Sequence, residues 1–536
     1  MKGFKIKDKI FIKDWLVFKP YSKHAPTDMY YLGLCNKVLA SLTTMPSFDY
    51  LDLGLNHTKE LACFLTSYFE DLVSGSNIWN TFVRLHKEKY DKILPIYEVG
   101  EGYYEQEINL EDVRFLIWYF VAAYFDDDTI EPKSTEVLAI AQKVMEVFEE
   151  EWETAPENEL LKSCYEIEGK LSGKDEYYEV RRFLQVLLFE TYLFFPDTCL
   201  RINEEHEEIL EEHKGKGLSI HEMANFLDEA TDTSTHTYCT RLLGLTAKEW
   251  AAEILGKEKQ ISKDILQLSD KIFSHFLYKG QDDKVIHLEH IASEEKFEMV
   301  KKSFDSANKL VETDTMLLTG MIRWKGEWWF TGLFGSSPYN AEIYAETKND
   351  VDELSVVDFL NEEDTKKELL DNLKIEKEIF LEMTDNALVT FMPIKEVHAF
   401  MEEFLLKLAK KKVKLSEKER EENRKRMETL QIIKNLDSEN NEDTVIFFNP
   451  KVGIELAFDI SSAFPLPNNP FYKEGEFLDD IIITITSDEF SAELAKYCVE
   501  NFKGHDSFFQ TEEGKHYVDD LDFLLRFWKQ EDYYND

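Results

Sequence analysis

Apolar residues recur at three- and four-residue spacing through most of the first half of this 536-residue chain, a period that packed helices satisfy and strands do not. Residues 58–73 place Leu61, Phe64, Leu65, Tyr68, Phe69 and Leu72 on one face, and Gly75 marks the stop. Residues 110–125 are apolar on nearly all sides, which predicts a helix at the centre of its bundle. Residues 134–152 and 176–194 repeat the amphipathic pattern. Two capping boxes, Ser219-x-x-Glu222 and Thr246-x-x-Glu249, open further helices, because hydroxyl and carboxylate together satisfy the free amides of a first turn. Between them, Thr231 to Thr240 is rich in Ser and Thr and reads as a polar connector in preference to a contact-bearing loop.

The period changes after Tyr278. Lys279 to Asp283 reads as a turn, Val285 to Ile291 as a short strand, and 293–311 as a helix starting at Ser293. Met316 to Trp324, Lys325-Gly326 and Glu327 to Phe334 form the clearest hairpin signal, two apolar-aromatic runs around a Gly-containing two-residue turn. Ala387 to Met392, the pair Val445 to Phe448 and Gly453 to Phe458, and Ile481 to Thr486 read as further strands. The last feeds a capping box at Thr486-x-x-Glu489, and an amphipathic helix around Leu521 to Trp528 follows. The expected fold is α+β and predominantly helical, with a helical domain over 1–278 and an α+β domain over 279–536. Helices in irregular order between the strands favour a mixed or antiparallel sheet.

Charge narrows the partners. Against 62 Lys and Arg stand 106 Asp and Glu, a net charge of −44 that opposes bare nucleic acid and anionic membranes. An acidic surface that mimics nucleic acid is the sharper alternative to a merely acidic soluble protein. The six cysteines are scattered without a CxxC pair, which speaks against zinc ribbons and for a reducing compartment. Met1 to Lys5 lacks a signal-peptide core, and the longest apolar run, Phe115 to Phe125, is about half of a bilayer span. A soluble, cytoplasmic protein is expected. No dinucleotide or phosphate-binding glycine loop occurs, so no cofactor is expected. The pairs His287/His290 and His206/His213 lack ligand-set spacing, so no metal is expected either.

Four acids and four aromatics are the residues that invite a function. Glu70, Asp71, Glu111 and Asp112 lie at the ends of two apolar helices, with Arg84 and Arg114 nearby in sequence; Glu190 is likewise embedded among apolar residues. An acid beside a core is either paired or raised in pKa, and two such acids suit acid/base work. The structural alternative is an acid–arginine network or helix capping, and the balance favours it. Trp324, Trp328, Trp329 and Phe330 offer a ligand or partner surface, although such runs more often build a core. Lys407 to Arg426 holds ten basic residues and four glutamates, and reads as a helix C-terminus followed by a solvated helix opened by Ser416-x-x-Glu419.

One wording goes beyond pattern. Tyr68-Phe69-Glu70-Asp71, Ile78-Trp79, Phe82, His86, Tyr90, Leu94-Pro95, Glu107-Ile108-Asn109, Phe115 to Trp118 and Ala155 to Asn158 together resemble a family of bacterial intracellular proteins without an assigned activity. Trp15 to Tyr21, the Trp324 to Gly332 hairpin and Asn449 to Gly453 look similar to its other landmarks. The resemblance implies a bacterial cytoplasmic protein and no catalytic residues. A non-catalytic interaction or regulatory protein with a protein partner is therefore the leading expectation. A hydrolase-like enzyme using the four acids is the alternative.

Overall fold

A computed structural model describes residues 9–124, 130–167, 169–171, 173, 175–350, 353, 357, 362–411 and 443–533. The chain forms two compact units, one ending at Lys348 and one spanning Asn349–Tyr533.

The first unit begins with helices: α1 (Ile12–Leu16), α2 (Asp28–Thr43), α3 (Leu55–Ser74), α4 (Ile78–Tyr90), α5 (Leu110–Tyr124) and α6 (Thr135–Glu151). Then come α7 (Glu159–Cys164), α8 (Glu176–Glu190), α9 (Leu200–Glu212), α10 (Ile220–Thr237), α11 (Ala247–Leu255) and α12 (Gln260–Leu266). Gly75 ends α3 in the left-handed region at φ 64°, which only glycine adopts without a Cβ penalty. The all-round apolar α5 is buried from Asp112 to Ala123 except at Arg114, and its Phe115 stacks on Phe82 with ring centroids 5.5 Å apart. Both expected capping boxes form, at Ser219 before α10 and at Thr246 before α11.

The Ser/Thr stretch departs from its reading as a connector, since α10 continues through it to Thr237. Its hydroxyls bond back to carbonyls one turn earlier, Thr231 to Leu227, Thr235 to Thr231 and Thr237 to Thr233, and so do not compete with the helix. Asp232, Ser234 and Thr235 are buried along this stretch.

Five strands follow in the same unit: β1 (Ile272–Gln281), β2 (Val285–His290), β3 (Lys296–Val300), β4 (Met316–Trp324) and β5 (Glu327–Ser337). They close a barrel in the order β1-β2-β3-β5-β4, antiparallel except for the β3–β5 pair. That order is the Greek-key barrel of oligonucleotide- and oligosaccharide-binding folds. The face such folds use, β2 and β3, here turns Val285, His287, Glu289, Lys296 and Glu298 outward, with no Phe, Tyr or Trp for stacking. Its flanking loops are reduced to Asp282–Lys284 and Lys325–Gly326.

The expected helix over 293–311 is instead β3 followed by short 3₁₀ turns. Ser293 does not cap a helix; its hydroxyl lies 2.7 Å from Nδ1 of His290, and Glu294 turns at φ 63°. Phe297 and Met299 then alternate into the barrel, so sheet closure overrides a charge pattern that reads as helical. Helix α13 (Ala341–Asn349) follows β5, its Tyr344 packing against Leu277, Ile291 and Met316.

The second unit has a three-stranded antiparallel sheet of β6 (Val389–Pro393), β7 (Asp443–Asn449) and β8 (Gly453–Phe458), in that order. Two helices, α14 (Glu362–Met383) and α15 (Ile394–Lys411), share its core through Phe380, Val397, Phe404 and Phe448. The expected strand Ile481–Thr486 is part of helix α16 (Phe477–Thr486): Phe477, Ile481, Thr484 and Ile485 are buried at helical spacing, and packing overrides the β-propensity of isoleucine. The next helix, α17 (Ala492–Phe502), is capped by Ser491 and not by Thr486. Helices α18 (His516–Asp519) and α19 (Leu521–Lys529) follow. The Ser416 box and residues 412–426 of the basic segment lie outside the described residues.

Candidate functional site

The four acids singled out in the sequence sit in the helical part of the first unit, and each described bond ties it to architecture. Glu70 is fully buried against Lys19, whose Nζ lies 2.5 Å from it, and it accepts from Nδ2 of Asn158 at 2.8 Å. Asp71 accepts from Ser76 Oγ at 2.6 Å, from the Trp79 amide at 2.7 Å and from the Tyr192 hydroxyl at 2.9 Å. It thereby caps α4 from the last turn of α3. Asp112 accepts from the Tyr68 and Tyr103 hydroxyls at 2.8 and 3.0 Å; burial pushes its carboxyl up to about 7 although these bonds pull it down. Glu111 is half-buried in the first turn of α5. The expected arginine partners are engaged elsewhere: Arg84 pairs with Glu88 and Glu253, and Arg114 lies over the Tyr97 ring.

The aromatic hairpin divides. Trp324 and Trp329 are buried, while Trp328 and Phe330 are half-buried. Trp329 packs between Tyr177 and Tyr178 of α8, and Trp328 meets Phe297 edge-on. Phe330 lines an open cleft of about 870 Å³, a size suited to a small-molecule ligand.

Three walls enclose this cleft. Helix α8 supplies Tyr178, Arg181, Arg182 and Gln185; α10 supplies Asn225, Asp228 and Thr231. The barrel supplies the turn after β3, Lys302 to Ser306, and Phe330 with Gly332 to Phe334 of β5. Phe304 sits 5.2 Å from Phe330 and 4.6 Å from Phe334, centroid to centroid, making an aromatic wall. A bulge aims that wall. Thr319 pairs with Phe334 and its neighbour Gly320 with Thr331, so Gly332 and Leu333 leave the ladder. The freed Leu333 amide donates to Glu229 of α10.

Glu229 belongs to a charge cluster between α10, α8 and the barrel. Nζ of Lys271, 2% exposed, lies 2.5 Å from Glu229 and 2.8 Å from Asp232. Arg181 donates to Asp232 at 3.2 Å. The Thr331 hydroxyl donates to Asp232 at 2.7 Å and accepts from Tyr177 and Arg181, which uses its full capacity. Tyr177, giving its proton to Thr331, lies 3.2 Å from Nε2 of His236. Burial alone would raise the Asp232 carboxyl, but Lys271 and Arg181 hold it below its usual range. Burial drives His236 down to about 4, so it is neutral at pH 7. With two carboxylates, one ammonium and one guanidinium, the cluster is charge-balanced.

The cleft includes none of Glu70, Asp71, Glu111 and Asp112. Among the described residues no group of three or more His, Cys, Asp and Glu is arranged to hold a metal ion. His290 is buried between Ser274 and Ser293, while His287 faces Asp282 and Glu298. Arg181, Asp232, Lys271 and Thr331 carry no motif in the sequence. The single signal available was Gly332, a glycine inside an aromatic strand, which is the mark of a bulge.

No curated protein and no solved structure matches this chain. A family model described as "Protein of unknown function (DUF3843)" matches residues 9–315, from before α1 to the residue preceding β4. That match takes in α8, α10 and the turn after β3, leaving the β5 wall of the cleft beyond it. As it covers more than half of the 536 residues, the chain belongs to the DUF3843 family.

Proposed function

We propose that this is a non-catalytic, cytoplasmic binding protein of the regulatory kind, and that a small ligand occupies the cleft between α8, α10 and the barrel. The observation that carries this reading is the contrast between the cleft and the cluster beneath it. The cleft is roomy, aromatic on one side and polar on the others. The carboxylates of Glu229 and Asp232 are fully engaged in holding α10, Lys271 and the β5 bulge together, which leaves them poor general bases. A cytoplasmic location is supported by the sequence alone. The structure adds that no single helix among the described residues is long and apolar enough to cross a membrane.

The test is thermal melting of the full chain against a panel of small polar metabolites, with Phe330→Ala as the cleft variant. A compound that raises the melting temperature of the wild type but not of Phe330→Ala supports the reading. Chemical turnover of that compound by the wild-type protein would overturn its non-catalytic half.

One observation favours the enzyme alternative: Asp112, raised to about 7, has the protonation balance of a general acid or base at neutral pH. Against it, both carboxylate oxygens accept hydroxyl protons from Tyr68 and Tyr103, and the residue is 1% exposed.

A further inference from the structure

We infer, resting on the ligand-cleft reading, that the cleft takes a small organic anion with a planar apolar body, its charged group held by Arg181. Arg181 is the most enclosed charge that lines the cleft, its side chain 29% exposed, whereas Arg182 and Lys302 stand at the exposed rim. Its Nη1 is fixed from behind by Asp232 and Thr331, and its guanidinium lies 5.1 Å from the Tyr178 ring centre. Arg181 lines the cleft, and among the described residues neither Nη2 nor Nε donates, so that edge of the guanidinium is available to a ligand. A planar guanidinium with two parallel N–H groups is matched by a carboxylate or a phosphate monoester.

The remaining charges sharpen the choice. Arg182 is paired with Glu190 at 2.6 Å and Lys302 with Glu327 at 2.7 Å. Asp175, Asp228 and Asp305 line the exposed rim, where water and salt screen them. A group entering the interior therefore meets Arg181 in lower dielectric than it meets the aspartates, and a single negative charge is favoured. A polyanion is not: it would have to pass three rim carboxylates on a chain of net charge −44. Beside Arg181, the half-buried Phe330 and Phe334, backed by the buried Phe304, line the cleft and offer a planar body apolar surface to pack against.

The experiment uses one body with four head groups: naphthalene-2-carboxylate, 2-naphthyl phosphate, neutral naphthalene-2-carboxamide and cationic 2-naphthylmethylammonium. Each is titrated into the full chain by isothermal calorimetry. At least one anionic probe is expected to bind about tenfold or more tighter than the amide and the ammonium, as a charge-assisted pair predicts. Arg181→Gln loses that preference. Arg181→Lys, which keeps the charge on Asp232 and so guards against misfolding, loses most of it because the fork is gone. Arg182→Gln retains it. Phe330→Ala weakens all four probes and leaves their order unchanged. Tighter binding of the ammonium overturns the anion assignment and leaves the cleft reading standing. An anion preference that survives in both Arg181 variants overturns the role of Arg181. Failure of all four to bind the wild type overturns the cleft reading with it.

Discussion

Gly332 shows how little freedom the bulge leaves at single positions. Its φ is +72°, and a Cβ built there would fall 1.9 Å from Oε2 of Glu229 and 2.9 Å from Nζ of Lys271. Glu229 cannot withdraw without releasing the Leu333 amide and Lys271. Gly332→Ala therefore combines left-handed strain with a broken charge cluster, and is expected to cost about 2–4 kcal/mol in urea unfolding. Gly335, three residues on, is the control: its Cβ would meet nothing nearer than Leu318 Cβ at 3.7 Å, so Gly335→Ala should stay within about 0.5 kcal/mol. Lys271→Met tests the cluster itself. It takes the shared ammonium from two carboxylates, stranding the Glu229 charge and leaving Asp232 only Arg181 as a cation, and the loss should be about 3–5 kcal/mol, read from the same unfolding curves. Adding Glu229→Gln to Lys271→Met should recover part of it, because the stranded charge is then absent. An unchanged midpoint in Lys271→Met would mean the cluster is solvated and the α10–barrel contact rests on packing alone.

Between elements, the α3–α4 corner depends on one carboxylate. Asn77 precedes α4 at φ 63° and makes no capping bond of its own, so the amides of Ile78 and Trp79 turn to Asp71 of α3. Asp71→Asn keeps one acceptor oxygen and opposes an amide to the remaining donors. Its cost should be about 1–3 kcal/mol, and amide exchange in the first turn of α4 should speed up while that of α5 does not. The sequence held half of this corner. Gly75 and the apolar face of 58–73 place the end of α3, yet nothing in the adjacent acids Glu70 and Asp71 tells that one meets Lys19 and the other a helix start. The same division runs through the chain. The helices opened at Ser219 and Thr246, and the Lys325-Gly326 hairpin, were legible because their signals are local. β3 and α16 were misread because sheet closure and burial, both non-local, outweigh propensity. The cluster below the cleft was invisible for the same reason: residues 181, 229, 232, 271 and 331 have no common spacing.

At the scale of the whole molecule the titrating groups pull in opposite directions between pH 4 and 7. His86 and His236 are each driven by burial to about 4, below the ordinary histidine value. Across the interval from about 6.5 to 4 the unfolded chain binds protons that the folded one refuses, so their contribution is present above pH 6.5 and is lost as pH falls. Asp112 and Asp480 behave in reverse. Burial lifts them to about 7 and about 6, so the folded chain holds protons that the unfolded one releases, and stability is lost as pH rises from about 4 to 7. The two trends nearly cancel between about pH 4 and 6, so the wild type should show an almost flat melting temperature there instead of a steady slope. Each trend has its own variant. His236→Gln removes one acid-side contribution, so its melting temperature relative to wild type should improve as pH falls from 6.5 to 4. Asp112→Asn removes a neutral-side one, so its relative stability should improve as pH rises from 4 to 7. Self-repulsion of a chain at −44 also eases as carboxylates protonate, but it is screened over about 10 Å at 0.1 M salt, whereas the buried groups are not. Repeating the series in 0.5 M sodium chloride separates the two causes. If the opposite trends of His236→Gln and Asp112→Asn persist there, the buried groups set the pH profile; if both variants then track the wild type in parallel, net charge sets it.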